Sequence, residues 1–264
     1  MLKLLFAGMT DPGLVRSSNQ DTYYVDPQGR FFIVADGMGG HAGGQEASGI
    51  ATDVIRQYLE EHWESGLATP QILEQALSLA NQAILKDQKQ HPERGDMGTT
   101  TVVLVFRLDQ DEQPWCAHVG DSRLYRLRGP KIAALTEDHT WIARAIREGE
   151  LTADQSRSHP WRHVLSQCLG REDMHRIDVQ PVEAQPGDRF LLCSDGLTEE
   201  LPDTIIAAHL KSIRAVESAA QALINSAKKH GGRDNITVVL VTLLLDIPVA
   251  NDTTGTETGF VVEE

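Results

Sequence analysis

The chain has 264 residues, of which 41% are hydrophobic and 23% are charged, and its formal net charge is −14. This length and apolar content suit one large domain with a buried core. The negative charge argues against a nucleic-acid surface, which needs clustered lysine and arginine, and it supplies carboxylates for divalent cations. The three cysteines are too widely spaced to predict a disulfide framework or a CxxC zinc site.

The N-terminal residues predict a buried first strand rather than a targeting segment. A short apolar run follows Lys3 and ends at the Asp-Pro-Gly turn of residues 11–13, so the long apolar region of a signal peptide is missing. No later stretch reaches the roughly 18 apolar residues of a membrane span. We therefore expect a cytoplasmic protein that does not interact with membranes.

Further strands and helices are predicted in blocks. Residues 31–36 (FFIVAD) form a strand that leads into a glycine-rich loop, and apolar residues then recur at helical spacing over 47–59 and 72–84. A third helix is predicted over 216–227. The remaining predicted strands cover residues 99–106, 115–120, 122–127, 189–195 and 235–245.

The order of these elements predicts the fold class. Helices occur in pairs and strands in consecutive runs, which does not fit a regular βαβ alternation. The runs over 189–195 and 235–245 are almost continuously apolar, as expected of strands that are covered on both faces. We expect an α+β fold, a four-layer α-β-β-α sandwich of two antiparallel sheets flanked by helix pairs.

Two segments depart from this pattern. Residues from about 139 to 175 are polar and rich in histidine, arginine and tryptophan, which predicts a mobile insertion. Residues 247–264 are acidic and poor in core-forming side chains, which predicts a disordered tail. The sequence thus predicts one domain over residues 1–246.

The glycine-rich stretch over 35–49 (ADGMGGHAGGQEASG) indicates a backbone that passes close to a ligand. It is not a Walker A loop, because Gly39 and Gly44 have the required spacing but Gln45 stands where the lysine belongs. A cysteine-phosphatase loop is also excluded, because no cysteine is followed by arginine six residues later.

A dinucleotide-binding loop stays open as an alternative. Gly37, Gly39 and Ala42 satisfy the pattern G-x-G-x-x-G/A between a predicted strand and a predicted helix. Against this interpretation, Asp36 would place a carboxylate beside the pyrophosphate, and a second helix follows where the fold requires a strand.

A divalent metal site fits the sequence better. A single aspartate beside a turn usually forms a local hydrogen bond, but five aspartates share this setting, several of them at predicted strand ends. Oxygen ligands suit Mg²⁺ or Mn²⁺ rather than zinc. The five are Asp21, Asp36, Asp121, Asp195 and Asp234.

Six motifs that contain these residues occur in the order of one known family. They are RSSNQD (16–21), VADGMGGH (34–41), GTT (98–100), VGDSR (119–123), CSDGL (193–197) and GGRDN (231–235). The sequence resembles bacterial members of the metal-dependent serine/threonine protein phosphatases (PPM, type 2C) over residues 8–242. The resemblance implies the same α-β-β-α sandwich and a binuclear Mn²⁺ or Mg²⁺ centre.

The resemblance also implies roles for individual residues. Asp36 matches the carboxylate that bridges the two ions, and Gly37 matches the residue whose carbonyl binds one of them. Asp21 matches a position that supports this first ion. Asp195 and Asp234 match the ligands of the second ion.

A third ion and the phosphate contacts follow from the same resemblance. Asp121, with Asp195, matches the pair that holds a third, more weakly bound ion in bacterial relatives, and Arg16 matches the phosphate-binding arginine. Many eukaryotic members have a histidine, proposed as the general acid, at the position of Met38. His41 is the candidate replacement here, and water on the third ion is the alternative.

The function implied is hydrolysis of phosphoserine and phosphothreonine in proteins by a metal-activated water, in signalling. Phosphorylated proteins would be the substrates, and we expect a monomer. A pseudophosphatase that binds phosphoproteins without turnover is the non-enzymatic alternative, but Arg16 and all five aspartates are present. We expect His118, within a predicted strand, to be structural, whereas His139 lies in the insertion and is a candidate for substrate contact.

Overall fold

The computed structural model describes residues 2–40, 43–152, 155, 159–161 and 164–245. The predicted acidic tail lies outside these residues, so the predicted domain limits stay a prediction. In the described part of the chain, no helix has the length and apolar character needed to cross a membrane. The three cysteines are buried and free.

The strands of the described residues form two antiparallel sheets. A six-stranded sheet has the order β2-β3-β5-β6-β9 with β4 paired to β3, and a five-stranded sheet has the order β1-β11-β10-β7-β8. In chain order the strands are β1 (Leu2–Asp11), β2 (Asp21–Val25), β3 (Phe31–Met38), β4 (Gly98–Thr99), β5 (Thr101–Val105), β6 (Trp115–Val119), β7 (Arg123–Arg128), β8 (Lys131–Ala134), β9 (Asp178–Pro181), β10 (Arg189–Cys193) and β11 (Ile236–Leu245).

Helices cover the outer face of each sheet. Helices α1 and α2 share a hydrophobic cluster with the six-stranded sheet, and α4, α5 and α6 share another with the five-stranded sheet. A third cluster lies between the two sheets, so the predicted four-layer sandwich is confirmed. The helices are α1 (Gly43–Glu61), α2 (Thr69–Gln90), α3 (Trp141–Arg147), α4 (Asp195–Thr198), α5 (Asp203–Ser212) and α6 (Val216–His230).

The central strands are apolar on both faces because both faces are covered. On β3, Phe31 and Ile33 pack against α1 and α2, whereas Phe32 and Val34 pack against the other sheet. Successive strand side chains point to opposite faces, so an unbroken apolar run fills two layers at once. Each of the two phenylalanines is fully buried, which stabilises the fold by about 1.5–3 kcal/mol per side chain.

Two strand predictions are corrected by the structure. β1 is not buried, because it is the edge strand of its sheet and most of its side chains are half-buried or exposed. The strand predicted over 189–195 ends at Cys193, and Asp195 instead begins the short helix α4. The chain therefore leaves the sheet before Asp195.

The predicted insertion is attached to the main body at both of its ends. At the first end, the His139 amide donates a 2.9 Å hydrogen bond to the Gly120 carbonyl oxygen. Inside the insertion, Thr140 caps α3 by accepting a 3.1 Å hydrogen bond from the Ala143 amide, and it forms an isolated bridge with Leu165. Leu169 forms a second bridge with Thr99. Within the insertion, the ring of Trp141 stacks on that of His159 at 4.9 Å.

Candidate metal centre

The predicted aspartates converge at one end of the sandwich. Four of them line a cavity of about 550 Å³, namely Asp36, Asp121, Asp195 and Asp234. The fifth, Asp21, lies directly opposite Asp36 on the neighbouring strand. Residues that are more than 200 positions apart in the chain therefore contribute to one site.

Both sheets supply aspartates to this cavity. Asp36 lies near the end of β3, and Asp121 lies in the turn between β6 and β7. Asp195 begins α4 directly after β10, and Asp234 precedes β11. Because these strand ends meet at the same edge of the sandwich, the carboxylates are held by rigid elements rather than by long loops.

Threonines of the GTT motif fix the backbone of Asp36. The Thr100 amide and the Thr99 hydroxyl donate hydrogen bonds of 2.9 and 2.8 Å to the Asp36 carbonyl oxygen. The Asp36 amide in turn donates a 3.2 Å hydrogen bond to the Thr100 hydroxyl, which also contacts the hydroxyl of Ser122 at 2.7 Å. The position of the central carboxylate is therefore set by three neighbouring residues.

Gly37 has no room for a side chain. A Cβ atom at this position would collide with the carbonyl oxygens of Gly44 and Gln20. The Gly37 amide also donates a 3.2 Å hydrogen bond to the Gln20 carbonyl oxygen. The close approach of these backbones explains the glycine requirement next to Asp36.

Asp21 has one carboxylate oxygen without a hydrogen-bond partner. Its Oδ2 accepts a 2.8 Å hydrogen bond from the Ser194 hydroxyl, whereas the buried Oδ1 has no partner among the described residues. Burial raises the pKa of Asp21 to about 7, and the charges of Asp195 and Asp234 add to this effect, against the hydrogen bonds from Thr237 and Ser194. A buried oxygen without a partner is costly, and a cation would remove that cost.

Burial and mutual repulsion also raise the pKa values of other carboxyls. The pKa of Asp36 is raised well above its usual range by burial, then by the charges of Asp21, Asp195 and Asp121 and by a hydrogen bond with Asp195. The pKa of Asp121 is raised by burial and by Asp195 in the same way. Such a cluster favours the binding of either protons or cations.

The donor set fits Mg²⁺ or Mn²⁺. The potential ligands are carboxylate oxygens, and no described histidine or cysteine lines the cavity. At Gly37 the backbone itself borders the cavity, because no side chain would fit there. Hard divalent cations prefer such oxygen ligands, whereas zinc prefers nitrogen and sulfur. The residues that are present therefore fit the ions implied by the sequence.

Arg16 is held at the cavity by Asp234. Its Nη2 atom lies 2.6 Å from Asp234 Oδ2, and about half of its side chain is exposed. Asn235 fixes the loop that carries Arg16, because its Nδ2 donates to the carbonyl oxygens of Pro12 and Ser18 at 3.1 and 2.9 Å. A guanidinium thus lies beside the acidic cluster, and its role in phosphate binding stays a prediction.

The candidate general acid is not placed by the structure. His41 lies outside the described residues, so its role stays a prediction. Met38 lines the cavity, and its thioether has no proton to donate.

Two further histidines, His118 and His139, do not belong to the lining of the cavity. His118, on β6, is almost fully buried, and its Nε2 donates to the Glu137 carbonyl oxygen at 2.9 Å, which agrees with a structural role. His139 Nδ1 accepts a 3.2 Å hydrogen bond from the Gly120 amide, and its Nε2 lies 3.2 Å from Asp178. His139 therefore supports the turn that carries Asp121 and does not line the cavity.

Sequence analysis did not single out several supporting residues. Ser194 precedes Asp195, where a serine usually signals a helix N-cap, but its hydroxyl is directed to Asp21 instead. Arg233 and Glu199 line the cavity as well, and neither belonged to the predicted site. The sequence next to Ser194 and Arg233 does not reveal these contacts, because their partners are distant in the chain.

Comparisons with known proteins show which family the chain resembles. A model of the protein phosphatase 2C family matches residues 15–240. The serine/threonine phosphatase stp of Listeria monocytogenes is 36% identical over 240 residues, which cover 88% of this chain and 93% of the relative. The serine/threonine protein phosphatase PstP of Mycobacterium tuberculosis is 35% identical over 90% of this chain.

PstP can be compared with this chain in length and in structure. The chain spans only 45% of the length of the mycobacterial protein. A crystal structure of the catalytic domain of PstP in complex with two manganese ions resembles this structure with a TM-score of 0.80 and 32% identity. That match covers 93% of this chain and all of the PstP chain.

Proposed function

The chain belongs to the protein phosphatase 2C family, and we propose that it hydrolyses phosphoserine and phosphothreonine in proteins, acting in signalling. The observation that carries this proposal is the convergence of five aspartates and Arg16 on one cavity. Phosphorylated proteins are the substrates that this site would accept. The homologues named serine/threonine phosphatases support the same substrate class.

Two divalent cations, Mn²⁺ or Mg²⁺, are the proposed cofactors. Asp36 would be a ligand of both cations. Gly37 and Asp21 would hold the first cation, and Asp195 and Asp234 would hold the second. When bound, two such cations lower the pKa of a shared water and neutralise phosphate charge. The PstP structure that holds two manganese ions supports this assignment.

A third, weaker cation is proposed at Asp121 and Asp195. Both carboxylates line the cavity, and the charge of Asp195 is the largest electrostatic cause of the raised pKa of Asp121 after burial. Two carboxylates alone form a weaker site than the shared pair, since Mg²⁺ keeps most of its waters in such places.

Arg16 would bind the phosphate of the substrate. Its contact with Asp234 uses one amino group, so the remaining N–H donors of the planar guanidinium can reach phosphate oxygens. Asp234 thereby positions a cation beside the metal ligands. This arrangement favours a dianionic group over the neutral alcohol that is released.

The proton for the departing alkoxide must come from a residue other than Met38. We propose His41, three residues further along the chain, with water on the third cation as the alternative. The His41→Ala variant distinguishes the two, because loss of a general acid slows alkyl phosphates more than aryl phosphates. Equal losses for both substrates would remove His41 from this role.

The proposed function is tested by hydrolysis assays on the full chain. An aryl phosphate and phosphoserine and phosphothreonine peptides are incubated with Mn²⁺, Mg²⁺ or EDTA, with Asp36→Ala as the inactive control. Turnover that depends on metal and on Asp36 is the expected result. Peptide binding without turnover would instead indicate a pseudophosphatase, and tight binding of a dinucleotide would favour the alternative interpretation of the glycine-rich loop.

A further inference from the structure

A second guanidinium lies at the same cavity as Arg16. Arg233 lines the cavity, and 61% of its side chain is exposed to solvent. It directly precedes Asp234, so it lies beside one of the proposed metal ligands. Among the described residues that line the cavity, Arg16 and Arg233 are the cationic side chains.

Arg233 is fixed in place by a buried carboxylate. Its Nε donates to Glu200 Oε1 at 2.8 Å, its Nη2 donates to Oε2 at 3.1 Å, and its backbone amide donates to Oε1 at 3.0 Å. The Glu200 side chain is only 2% exposed. Gly231 makes room for this pair, because a Cβ atom there would lie 2.8 Å from both Glu200 oxygens.

This geometry leaves donors of Arg233 available for a ligand. A guanidinium has five N–H donors in a planar fork, and Glu200 occupies the side that carries Nε and Nη2. Among the described residues, the Arg233 hydrogen bonds all go to Glu200. The Nη1 group makes no hydrogen bond to a described residue, although the charge of Glu199 also attracts the guanidinium. An anionic ligand can therefore pair with Nη1, and little side-chain entropy remains to be lost when it does.

The size of the cavity indicates where in a substrate such an anion would lie. A volume of about 550 Å³ is much larger than one phosphate group, so the cavity has room for residues that flank the phosphorylated one. An acidic neighbour would be repelled by the aspartates that line the cavity and by the net charge of −14. A rigid exposed arginine offsets that repulsion locally.

We propose that Arg233 is a specificity-determining residue that binds an anionic side chain, a carboxylate or a second phosphate, next to the phosphorylated residue of a peptide substrate. This inference rests on the proposed phosphatase function. It assigns Arg16 to the phosphate that is hydrolysed and Arg233 to its neighbour. Acidic and multiply phosphorylated segments would then be preferred substrates.

The test compares matched peptides in wild type and variants of the full chain with Mn²⁺. Phosphothreonine peptides carry Glu, Gln or phosphoserine at the adjacent positions, and an aryl phosphate is the reference substrate. In Arg233→Gln and Arg233→Ala, the ratio of kcat/KM for the Glu or phosphoserine peptide to that for the Gln peptide should fall about tenfold or more. The Glu and phosphoserine arms show which anion is bound.

Two further variants control for indirect effects. Arg171→Ala removes an exposed arginine that pairs with Asp173, away from this cavity, and should leave the ratio unchanged. Glu200→Gln loosens Arg233 without removing it and should reduce the ratio less than Arg233→Ala does. Melting temperatures of all variants separate loss of specificity from loss of fold.

Three outcomes would overturn the inference. Equal losses on all substrates, including the aryl phosphate, would place Arg233 on the hydrolysed phosphate or in a purely structural role. An unchanged ratio would make it a surface partner of Glu200 only. A wild-type ratio of one would also contradict it, although the phosphatase function would stand, whereas a wild type that hydrolyses none of these substrates would contradict the proposed function itself.

Discussion

Asp21 and Asp36 lie directly opposite one another on adjacent antiparallel strands, so their carboxylates share one face of the sheet. Like charges in this position destabilise a sheet, and here Asp195 and Asp121 add to the repulsion felt by Asp36. The same arrangement that destabilises the metal-free protein would bind cations tightly. Stability and activity should therefore respond in opposite directions when these charges are removed.

Replacing Asp36 by Asn should separate the two effects. We expect Asp36→Asn to lose at least a hundredfold of phosphatase activity, because the proposed shared ligand is lost. In EDTA near neutral pH the same variant should be more stable than wild type by on the order of 1–2 kcal/mol, or several degrees in Tm, because folding no longer has to bury this carboxyl among like charges or keep it protonated.

Thermal melts in EDTA and in Mn²⁺ check this prediction. Asp53→Asn is the matched control, because Asp53 is an exposed aspartate on α1 and its loss should change neither quantity much. A lower Tm of Asp36→Asn in EDTA would contradict the repulsion argument.

The stability of the metal-free protein should depend on pH through Asp21. Its pKa in the fold is about 7, above the value near 3.9 of an unfolded chain, so the folded state binds the proton more tightly. The contribution of this proton to the free energy of unfolding is fully present below about pH 4, and it is lost as the pH rises through 7.

We therefore expect the Tm in EDTA to fall between pH 4 and pH 7 more steeply for wild type than for Asp21→Asn. The comparison of the two proteins cancels the titration of groups outside the acidic cluster, whereas the relief of Asp36, whose pKa Asp21 raises, adds to the difference. Saturating Mn²⁺ should remove the difference in slope, because the cation replaces the proton. Identical slopes in EDTA would show that Asp21 is ionised throughout this range.

Gly37→Ala should disrupt the centre through sterics alone. The added methyl group would collide with the carbonyl oxygens of Gly44 and Gln20, and backbone atoms cannot move aside without shifting Asp36. Gly49→Ala is the control, because its Cβ would meet no atom within 4 Å and it lies within α1.

We expect Gly37→Ala to lose both Mn²⁺ affinity and several degrees of Tm. Gly49→Ala should keep full activity and gain roughly 0.5–1 kcal/mol, since alanine is the better helix former. Metal titration and thermal melts measure both. Normal Mn²⁺ binding by Gly37→Ala would mean that the backbone can relax around the methyl group.

Asp121→Ala should affect turnover more than tight metal binding. With two cations, a phosphate dianion and Arg16 in place, the five aspartates still leave the site net negative, which favours a further cation. The variant should retain two tightly bound metals yet turn over far more slowly, and millimolar Mn²⁺ should not restore the rate.

Native mass spectrometry counts the metals, and rates over a Mn²⁺ titration complete the experiment. Arg123 and Asp138 form a close ion pair near Asp121, so the Tm of the variant must be recorded as well. Normal turnover, or loss of the tight pair of metals, would assign Asp121 a different role.

Arg16→Ala should weaken phosphate binding without unfolding the protein. The loss of a bidentate, charge-assisted contact corresponds to about a ten- to hundredfold fall in kcat/KM for a small phosphoester. Arg56→Ala is the control, because Arg56 pairs with Asp53 and Glu60 on the outer helix α1. Unchanged kinetics of Arg16→Ala would show that the arginine serves only to neutralise Asp234.

Much of the fold could be predicted from short-range patterns. Alternation and continuous apolar runs, such as residues 31–36 and 236–245, report directly which faces are covered. Short-range patterns fail where the environment of a residue depends on which elements pack beside it. The apolar content of β1 does not reveal that it is an edge strand, and Asp195 reads as a strand end although it begins a helix.

The sequence by itself determined which residue types could bind a divalent cation, because only aspartates beside turns recur in that pattern. Only the tertiary structure decided how they are combined. The Ser194 hydroxyl reaches Asp21 across 173 positions, and Glu200 fixes Arg233 across 33. Contacts of this kind depend on strand register and on the packing of two sheets, and a local pattern carries no information about either.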